Sequence, residues 1–270
     1  MAHRFTLMLQ LIILQMTNDS FAMIYLFILP FLLGIVIGSF LNVCIYRIPN
    51  KEDIVFTRSH CMSCGHELQW YELVPLLSFL CLRGKCKKCH TKLSIQYPLI
   101  EALNGVLYVV IFLINGFNVD SLLYCGLTSA LIVLSVIDFR TYEIPIGINI
   151  FILIVGLIHL GFHYTEWVTY VIGFFAVSIP IFIIILATHG KGMGGGDMKL
   201  MAVAGLLLGW KSIILAFLLG CIIGSIIHIV RMKVTKADHV LALGPYLAVG
   251  IFISMLWGSN IINWYINCVL

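Results

Sequence analysis

The sequence places two aspartates, Asp138 and Asp197, at the edges of long apolar stretches. A charge beside membrane-length segments is costly unless it is paired, hydrated or used, so an acid there is a functional-site hypothesis. Two carboxylates brought together in a medium of low dielectric do not easily both ionise, and they share a proton. One can then act as base and the other as acid on a water molecule that attacks an amide carbonyl.

A run of glycines directly before Asp197 supports a role for this acid. Residues without a Cβ atom let another backbone come close and permit positive φ angles. A flexible turn that happens to carry an interfacial aspartate explains the same stretch about equally well, and Lys199 or Arg140 could hold the acids in anchoring ion pairs. An ion or proton pathway is a further alternative. The residues of the run are Gly194, Gly195 and Gly196.

Two glutamates lie near the same apolar stretches. Glu101 stands just inside one of them and is a possible third polar site within a span. Glu143, close to Pro145, is more simply explained as a solvated loop charge.

Two CxxC pairs, separated by 21 residues, predict a structural metal site. Each pair presents two thiolates from one tight turn, and two such turns close a tetrahedral site of the zinc type. Two disulfides or a redox CxxC are the alternatives. Disulfides are disfavoured because the distribution of basic residues, described below, places this segment in the reducing cytoplasm. A redox site would not need the second pair. The predicted ligands are Cys61, Cys64, Cys86 and Cys89.

Composition identifies the class of protein. The 270 residues are 61% hydrophobic and 10% charged, with a mean hydropathy of +1.06. These values indicate a multi-pass membrane protein rather than a soluble one. The net charge of +4 is not accompanied by a nucleic-acid-binding motif, so no nucleic-acid partner is predicted.

The apolar runs predict an all-α polytopic protein with about eight transmembrane helices. A small polar domain holding the four cysteines lies between the first and second helices. The run 198–209 is only twelve residues long and is predicted to begin below the membrane surface or to be distorted. The predicted divisions are an N-terminal extension at 1–20, the first span at 21–46, the metal-binding domain at 47–97, a seven-helix membrane domain at 98–260 and a tail at 261–270.

The basic residues predict the orientation. With eight spans, 14 of the 16 lysines and arginines fall on the side that carries the cysteine domain. The positive-inside rule places that side in the cytoplasm and both termini outside.

Several motifs, taken in chain order, make the sequence similar to the bacterial type IV prepilin peptidases, which are intramembrane aspartyl proteases of the GxGD type. The resemblance covers about residues 21–257. The motifs are Gly-Ser-Phe-Leu-Asn-Val at 38–43, Tyr-Arg-Ile-Pro at 46–49, the two CxxC pairs, Gln-Tyr-Pro at 96–98 with Glu101, Ile-Asp at 137–138, and Gly-Gly-Gly-Asp-Met-Lys at 194–199.

The resemblance implies a bifunctional enzyme of the bacterial cytoplasmic membrane. Such enzymes remove the basic leader of prepilins or pseudopilins after a glycine, at the cytoplasmic face, and methylate the new amino group with S-adenosylmethionine. Asp138 and Asp197 match the catalytic aspartates, and the four cysteines match the metal ligands. Gly38, Asn42, Arg47 and Glu101 match other family positions, to which the sequence assigns no role. Candidates for binding the substrate or the methyl donor are Asn42 and Arg47 of this set, together with Glu143.

The sequence also allows other functions. No Gly-rich loop follows a strand pattern, so a methyl-donor site of the Rossmann type is not predicted, and a peptidase without methyltransferase activity is possible. A proton or ion transporter would use the same acids, but transporters place them near the bilayer midplane in repeated halves. A structural assembly platform would need no acid pair.

Overall fold

The computed structural model describes residues 27–190, 192–235 and 241–269. Among these residues the protein is almost entirely helical, and β structure is limited to two isolated bridges. The N-terminal extension at 1–20 and the beginning of the predicted first span lie outside the described residues. The helices are α1 Phe27–Asn50, α2 Leu77–Cys81, α3 Gln96–Asn115, α4 Val119–Thr141, α5 Ile146–Phe162, α6 Trp167–Ala176, α7 Ser178–Ala187, α8 Gly195–Leu208, α9 Trp210–Thr235 and α10 Gly244–Val269.

Within the described ranges, six helical segments are long and apolar enough to cross a membrane. They are α1, α3, α4, the segment Tyr164–Ala187 that contains α6 and α7, α9 and α10. The apolar helix α5 has 17 residues and α8 has 14, so a count of eight full spans is not confirmed. All eight predicted runs nevertheless contain helix, and α10 continues through residues 261–269 of the predicted tail.

The chain divides into two compact units. The first contains the described residues 27–40 together with 60–117, and the second contains 41–59 together with 118–269. The helix α1 contributes its first part to one unit and its last part to the other.

In the first unit, α1 and α3 approach each other backbone to backbone. A Cβ atom on Gly34 would lie 2.6 Å from Cα of Gly105, and one on Gly38 would lie 2.7 Å from Cα of Glu101. The side chain of Asn104 donates to the carbonyl of Gly34 at 2.7 Å. Between lipid chains there is no hydrophobic driving force for helix association. Helices there associate through small residues that permit close approach and through interhelical hydrogen bonds, and α1 and α3 have both.

In the second unit, α8 is the central helix. Leu200, Met201, Ala204 and Leu207 are all at most 1% exposed. A helix that is apolar all round belongs in the interior of a bundle, and α8 packs against α5, α6, α7 and α9. Asp197, in the first turn of α8, therefore lies at the end of a helix that is surrounded by protein.

Candidate active site

Asp138 lies in the last turn of α4. The helix ends where Tyr142 adopts a left-handed conformation, with φ 55°, and its N–H donates to the carbonyl of Asp138. The Asp138 side chain is held from another helix, because the backbone N–H of Gly244, the first residue of α10, donates to Oδ2 at 2.9 Å. The residue is 5% exposed. It is therefore buried and fixed by a backbone donor at the junction of α4 and α10.

Asp197 lies in the first turn of α8. Gly194 is the N-cap residue, with an extended backbone at φ −78° and ψ 141°, and its N–H donates to the Asp197 carboxylate. An acid at the third helical position that accepts from the N-cap backbone satisfies one of the free N–H groups of a helix start. The residue is 9% exposed. The glycine run thus begins a helix and positions the acid within it.

The structure brings the two aspartates together. Both belong to the second unit, and they are close enough to interact electrostatically. Each carboxylate accepts from a backbone N–H, Asp138 from that of Gly244 and Asp197 from that of Gly194. Two buried acids that interact with each other cannot both be charged cheaply, so this arrangement favours a shared proton.

The three glycines of the run have different surroundings. A Cβ atom on Gly194 would lie 3.2 Å from Oδ2 of Asp197, and one on Gly196 would lie 3.0 Å from the side chain of Ile144, in the loop between α4 and α5. A Cβ atom on Gly195 would meet nothing within 4 Å. Open space beside Asp197 is therefore found at the middle glycine.

Gly244 is a site residue that the sequence analysis missed. A Cβ atom at this position would lie 2.7 Å from Oδ2 of Asp138, so glycine allows the α10 backbone to reach the carboxylate. The sequence signal was the Gly-Pro pair at 244–245 at the start of an apolar run. That pair marks a helix start, but nothing local shows what the helix start touches.

Glu101 is buried in the first unit, at 7% exposure. Its carboxylate accepts from the backbone N–H of Leu76 at 2.8 Å and interacts with the hydroxyl of Ser39. Leu76 itself adopts a left-handed conformation, with φ 59°. Glu101 therefore ties the segment before α2 to α3.

Arg47, in the second unit, is 6% exposed and holds a loop. Its guanidinium donates to the carbonyls of Asp53, Thr57 and Arg58 at 3.0, 2.8 and 3.2 Å. A planar group with several donors suits such multiple recognition better than a lysine would.

The remaining candidates differ in burial. Asn42 is 4% exposed, on α1. Glu143 and Lys199 are both exposed, the former in the loop after α4 and the latter on α8.

The four cysteines form one cluster in the first unit. Their sulfur atoms lie within 4.8 Å of one another, and the sulfurs of Cys61 and Cys89 are 3.9 Å apart. Zn–S bonds of about 2.3 Å in a tetrahedron place sulfurs about 3.8 Å apart. The cluster therefore fits a tetrahedral ion of that size.

The two cysteine turns repeat each other at an offset of 25 residues. In the first, the N–H of Cys61 donates to the carbonyl of His66 and the N–H of Gly65 to that of Cys61. In the second, the N–H of Cys86 donates to the carbonyl of Thr91 and the N–H of His90 to that of Cys86. Gly65 and His90 both adopt positive φ, 67° and 57°. The same backbone thus presents both cysteine pairs.

Neighbouring side chains support the cysteine cluster without joining it. The Thr91 hydroxyl, 3.2 Å from Sγ of Cys89, lowers the pKa of that thiol to about 6, which favours the thiolate that metals require. His66 forms a hydrogen bond of 3.2 Å with Glu72, whose pKa is held below its usual value first by the Gln69 backbone N–H and then by His66. His66 is therefore engaged with Glu72 rather than with the sulfurs.

Comparisons with known proteins agree with these features. The family model of the bacterial peptidase A24 N-terminal domain matches residues 32–114, and that of the type IV leader peptidase family matches residues 125–229. No solved structure matches the chain.

The chain is also similar along most of its length to curated proteins named prepilin leader peptidase/N-methyltransferase. It is 31% identical to that of Pseudomonas putida, covering 88% of this chain and 92% of the relative. It is 32% identical to that of Aeromonas salmonicida, covering 90% and 95%, and 33% identical to that of Bacillus subtilis, covering 89% and 98%. The chain therefore belongs to the type IV leader peptidase family.

Proposed function

We propose that this protein is an intramembrane aspartyl endopeptidase that removes the leader peptide of type IV prepilins or pseudopilins and methylates the new N-terminal residue. The observation that carries the proposal is the pair Asp138 and Asp197, which are both buried and interact with each other. Membership of the leader peptidase family, and the names of the relatives, supply the substrate class.

The chemistry follows from the shared proton. The ionised aspartate takes a proton from water while the protonated one donates to the carbonyl oxygen of the scissile bond, which gives a tetrahedral intermediate. Collapse of that intermediate breaks the C–N bond. The aspartate that took the water proton delivers it to the leaving amine, and the other aspartate takes back a proton from a hydroxyl group of the intermediate, which leaves the new carboxylic acid. The N–H groups of Gly244 and Gly194 hold the two carboxylates in place throughout these steps.

Open space at Gly195 supports an approach route for an extended substrate backbone. The glycine is exposed, two residues before the buried Asp197. The distribution of lysines and arginines favours an active site at the cytoplasmic face, with both termini outside. A prepilin could then lie in the bilayer with its scissile bond level with the two aspartates.

Methyl transfer would use S-adenosylmethionine. The described residues contain no strand to carry a Rossmann-type loop, and the guanidinium of Arg47 is engaged by three backbone carbonyls. We therefore assign no residue to the methyl donor, and a peptidase that lacks methylation is the alternative.

We further propose that the four-cysteine cluster holds a structural Zn²⁺. The ligand type, the sulfur spacing and the paired turns support this assignment. The ion would fix the fold of the segment around residues 60–93 and would take no part in hydrolysis.

Co-expression with a prepilin tests the proposed function. We expect mass spectrometry to find a shortened pilin whose N-terminal residue carries one added methyl group. A prepilin whose glycine before the cleavage site is replaced by valine should remain uncut and serves as the control. Cleavage without the methyl group would leave the peptidase and remove the methyltransferase, and an uncut wild-type prepilin in the presence of well-expressed enzyme would contradict the proposal.

Gly244→Ala tests whether the α10 backbone positions Asp138. We expect the added methyl group to push the carboxylate aside, because the Cβ atom would lie 2.7 Å from Oδ2. A displacement of this kind should lower the initial rate of prepilin cleavage by about 10²-fold. The matched control is Gly147→Ala on α5, where a Cβ atom meets nothing within 4 Å. Equal rates for the two variants and the wild type would show that Gly244 has no positioning role.

A further inference from the structure

A second cluster of ligand-type side chains lies at the end of the second unit that is opposite to the aspartates. Asp120 is in the first turn of α4, 18 residues before Asp138, which is about 27 Å along the helix. His159 is in the last turn of α5, and His163 directly follows that helix. The four-residue loop between α4 and α5 makes these helices antiparallel neighbours, so the start of one meets the end of the other.

The three side chains converge on one point. Nε2 of His159 lies 3.6 Å from one oxygen of Asp120, and Nε2 of His163 lies 3.6 Å from the other. The three ligand atoms lie within 4.8 Å of one another. Tetrahedral ligands at bonds of about 2.0–2.1 Å stand about 3.3–3.4 Å apart. The observed separations are therefore too long for good hydrogen bonds but close to those of ligands that share an ion.

The hydrogen bonds of the histidines leave the cluster incomplete. Nδ1 of His163 lies 3.2 Å from the carbonyl oxygen of His159, which accepts the proton of that nitrogen, so in the neutral ring the lone pair of Nε2 faces Asp120. His159 is 3% exposed, and its Nδ1 has no hydrogen-bond partner among the residues that the structure describes. A proton on Nδ1 would have no acceptor, and one on Nε2 would meet the carboxylate only at 3.6 Å. Neither tautomer satisfies this buried ring.

We propose that Asp120, His159 and His163 form a second metal site, which binds a divalent transition-metal ion and clamps the start of α4 to the end of α5. Two imidazoles and one carboxylate are a ligand set for zinc and its first-row neighbours, with the remaining positions open to water. The ion would supply a positive charge beside Asp120 and give the lone pairs of both rings a partner.

Binding requires a modest rearrangement. The two imidazole rings are stacked, with centroids 4.3 Å apart and planes 20° apart, so one ion cannot lie in both planes at once. His159 is held in place by the edge of Tyr170, 5.0 Å away between ring centroids. The His163 side chain is 35% exposed and that of Asp120 is 32% exposed, so these two ligands have room to turn towards an ion. The site thus has one fixed ligand and two adjustable ones.

Metal stoichiometry of the purified full-length protein in detergent tests the proposal. After equilibration with Zn²⁺, elemental analysis should find about two ions per chain, one at the four cysteines and one at this cluster. In Asp120→Asn and in His163→Gln the count should fall to about one, with affinity for the second ion at least about tenfold weaker. The control His189→Gln, an exposed histidine outside the cluster, should keep both ions.

Cobalt distinguishes the two sites. Protein that already holds one equivalent of Zn²⁺ at the thiolates should take up Co²⁺ with visible d–d absorption and without thiolate charge-transfer bands, and the two variants should lose this signal. Thermal unfolding in chelator should give the same midpoint for the variants and the wild type, which shows that lost binding is not lost folding. A single ion per chain in the wild type, or two ions retained in both variants, would overturn the proposal.

Discussion

Asp138→Asn and Asp197→Asn should each abolish prepilin cleavage while leaving the protein in the membrane at wild-type levels. Asparagine keeps the shape and the hydrogen-bond acceptor of the side chain but cannot take a proton from water or deliver one to the leaving amine. The loss of one acid–base group costs about 10²–10⁴-fold in rate, and the loss should lie at or beyond the upper end because the two carboxylates act as a unit. A gel-shift assay of co-expressed prepilin measures the effect.

A control separates catalysis from charge. Glu166→Gln removes an exposed carboxylate far from the pair along the chain, and this variant should cleave at the wild-type rate. If Asp138→Asn or Asp197→Asn also cleaved normally, the aspartyl mechanism would be wrong. The two aspartates would then be better explained as interfacial anchors or as part of an ion pathway.

Removal of one buried cysteine should have the second large effect. Cys61 and Cys86 are 6% and 3% exposed, and Cys86→Ser would leave three sulfurs around the ion. The apparent free energy of Zn²⁺ binding to small cysteine sites is about 10–16 kcal/mol, and there it is folding free energy. We therefore expect the variant to lose its structural zinc and its ordered cysteine segment. Elemental analysis and limited proteolysis within residues 51–95 are the measurements.

Cys81→Ser is the matched control, since Cys81 is exposed and outside the cluster. It should retain the metal and resist protease as the wild type does. A Cys86→Ser protein that kept stoichiometric zinc, or that stayed as resistant to protease as the wild type, would refute the structural role proposed for the cluster.

Functional residues that belong to a short sequence motif can be predicted from the sequence alone. The two CxxC pairs predict the cysteine cluster because two sulfurs per tight turn is a local property, and the structure confirms that the four sulfurs meet. The helical, multi-pass class follows from composition and run length. The pairing of Asp138 with Asp197 could be proposed because both stand at the edges of long apolar stretches, where an acid needs a partner or a function.

Long-range packing sets what the sequence could not show. Gly244 reaches Asp138 across 106 positions of chain, and no local pattern encodes that contact. The N–H group of Leu76 satisfies Glu101 across 25 positions, although the sequence suggested Glu101 only as a polar site within a span. The second cluster has no local pattern either, because Asp120 lies on α4 whereas His159 and His163 lie at the end of α5.

The span count shows a different limit. Hydropathy marks apolar runs but not whether lipid or protein surrounds them. Helix α8 reads as a short span, and in the structure it is the buried centre of the second unit. Its apolar residues face other helices, so its length need not match the bilayer.

The shortness of α8 also bears on how water reaches the reaction. A helix of 14 residues is about 21 Å long, about 9 Å less than the hydrocarbon core. If the far end of α8 lies near one membrane surface, Asp197 lies below the other surface. The exposed Gly194, which precedes the helix, is then at a depth where an unpaired peptide group must be surrounded by protein or water. The gap left by the missing turns would then be a hydrated recess, which brings the hydrolytic water and the polar backbone of an unwound substrate to the carboxylates without a passage through lipid.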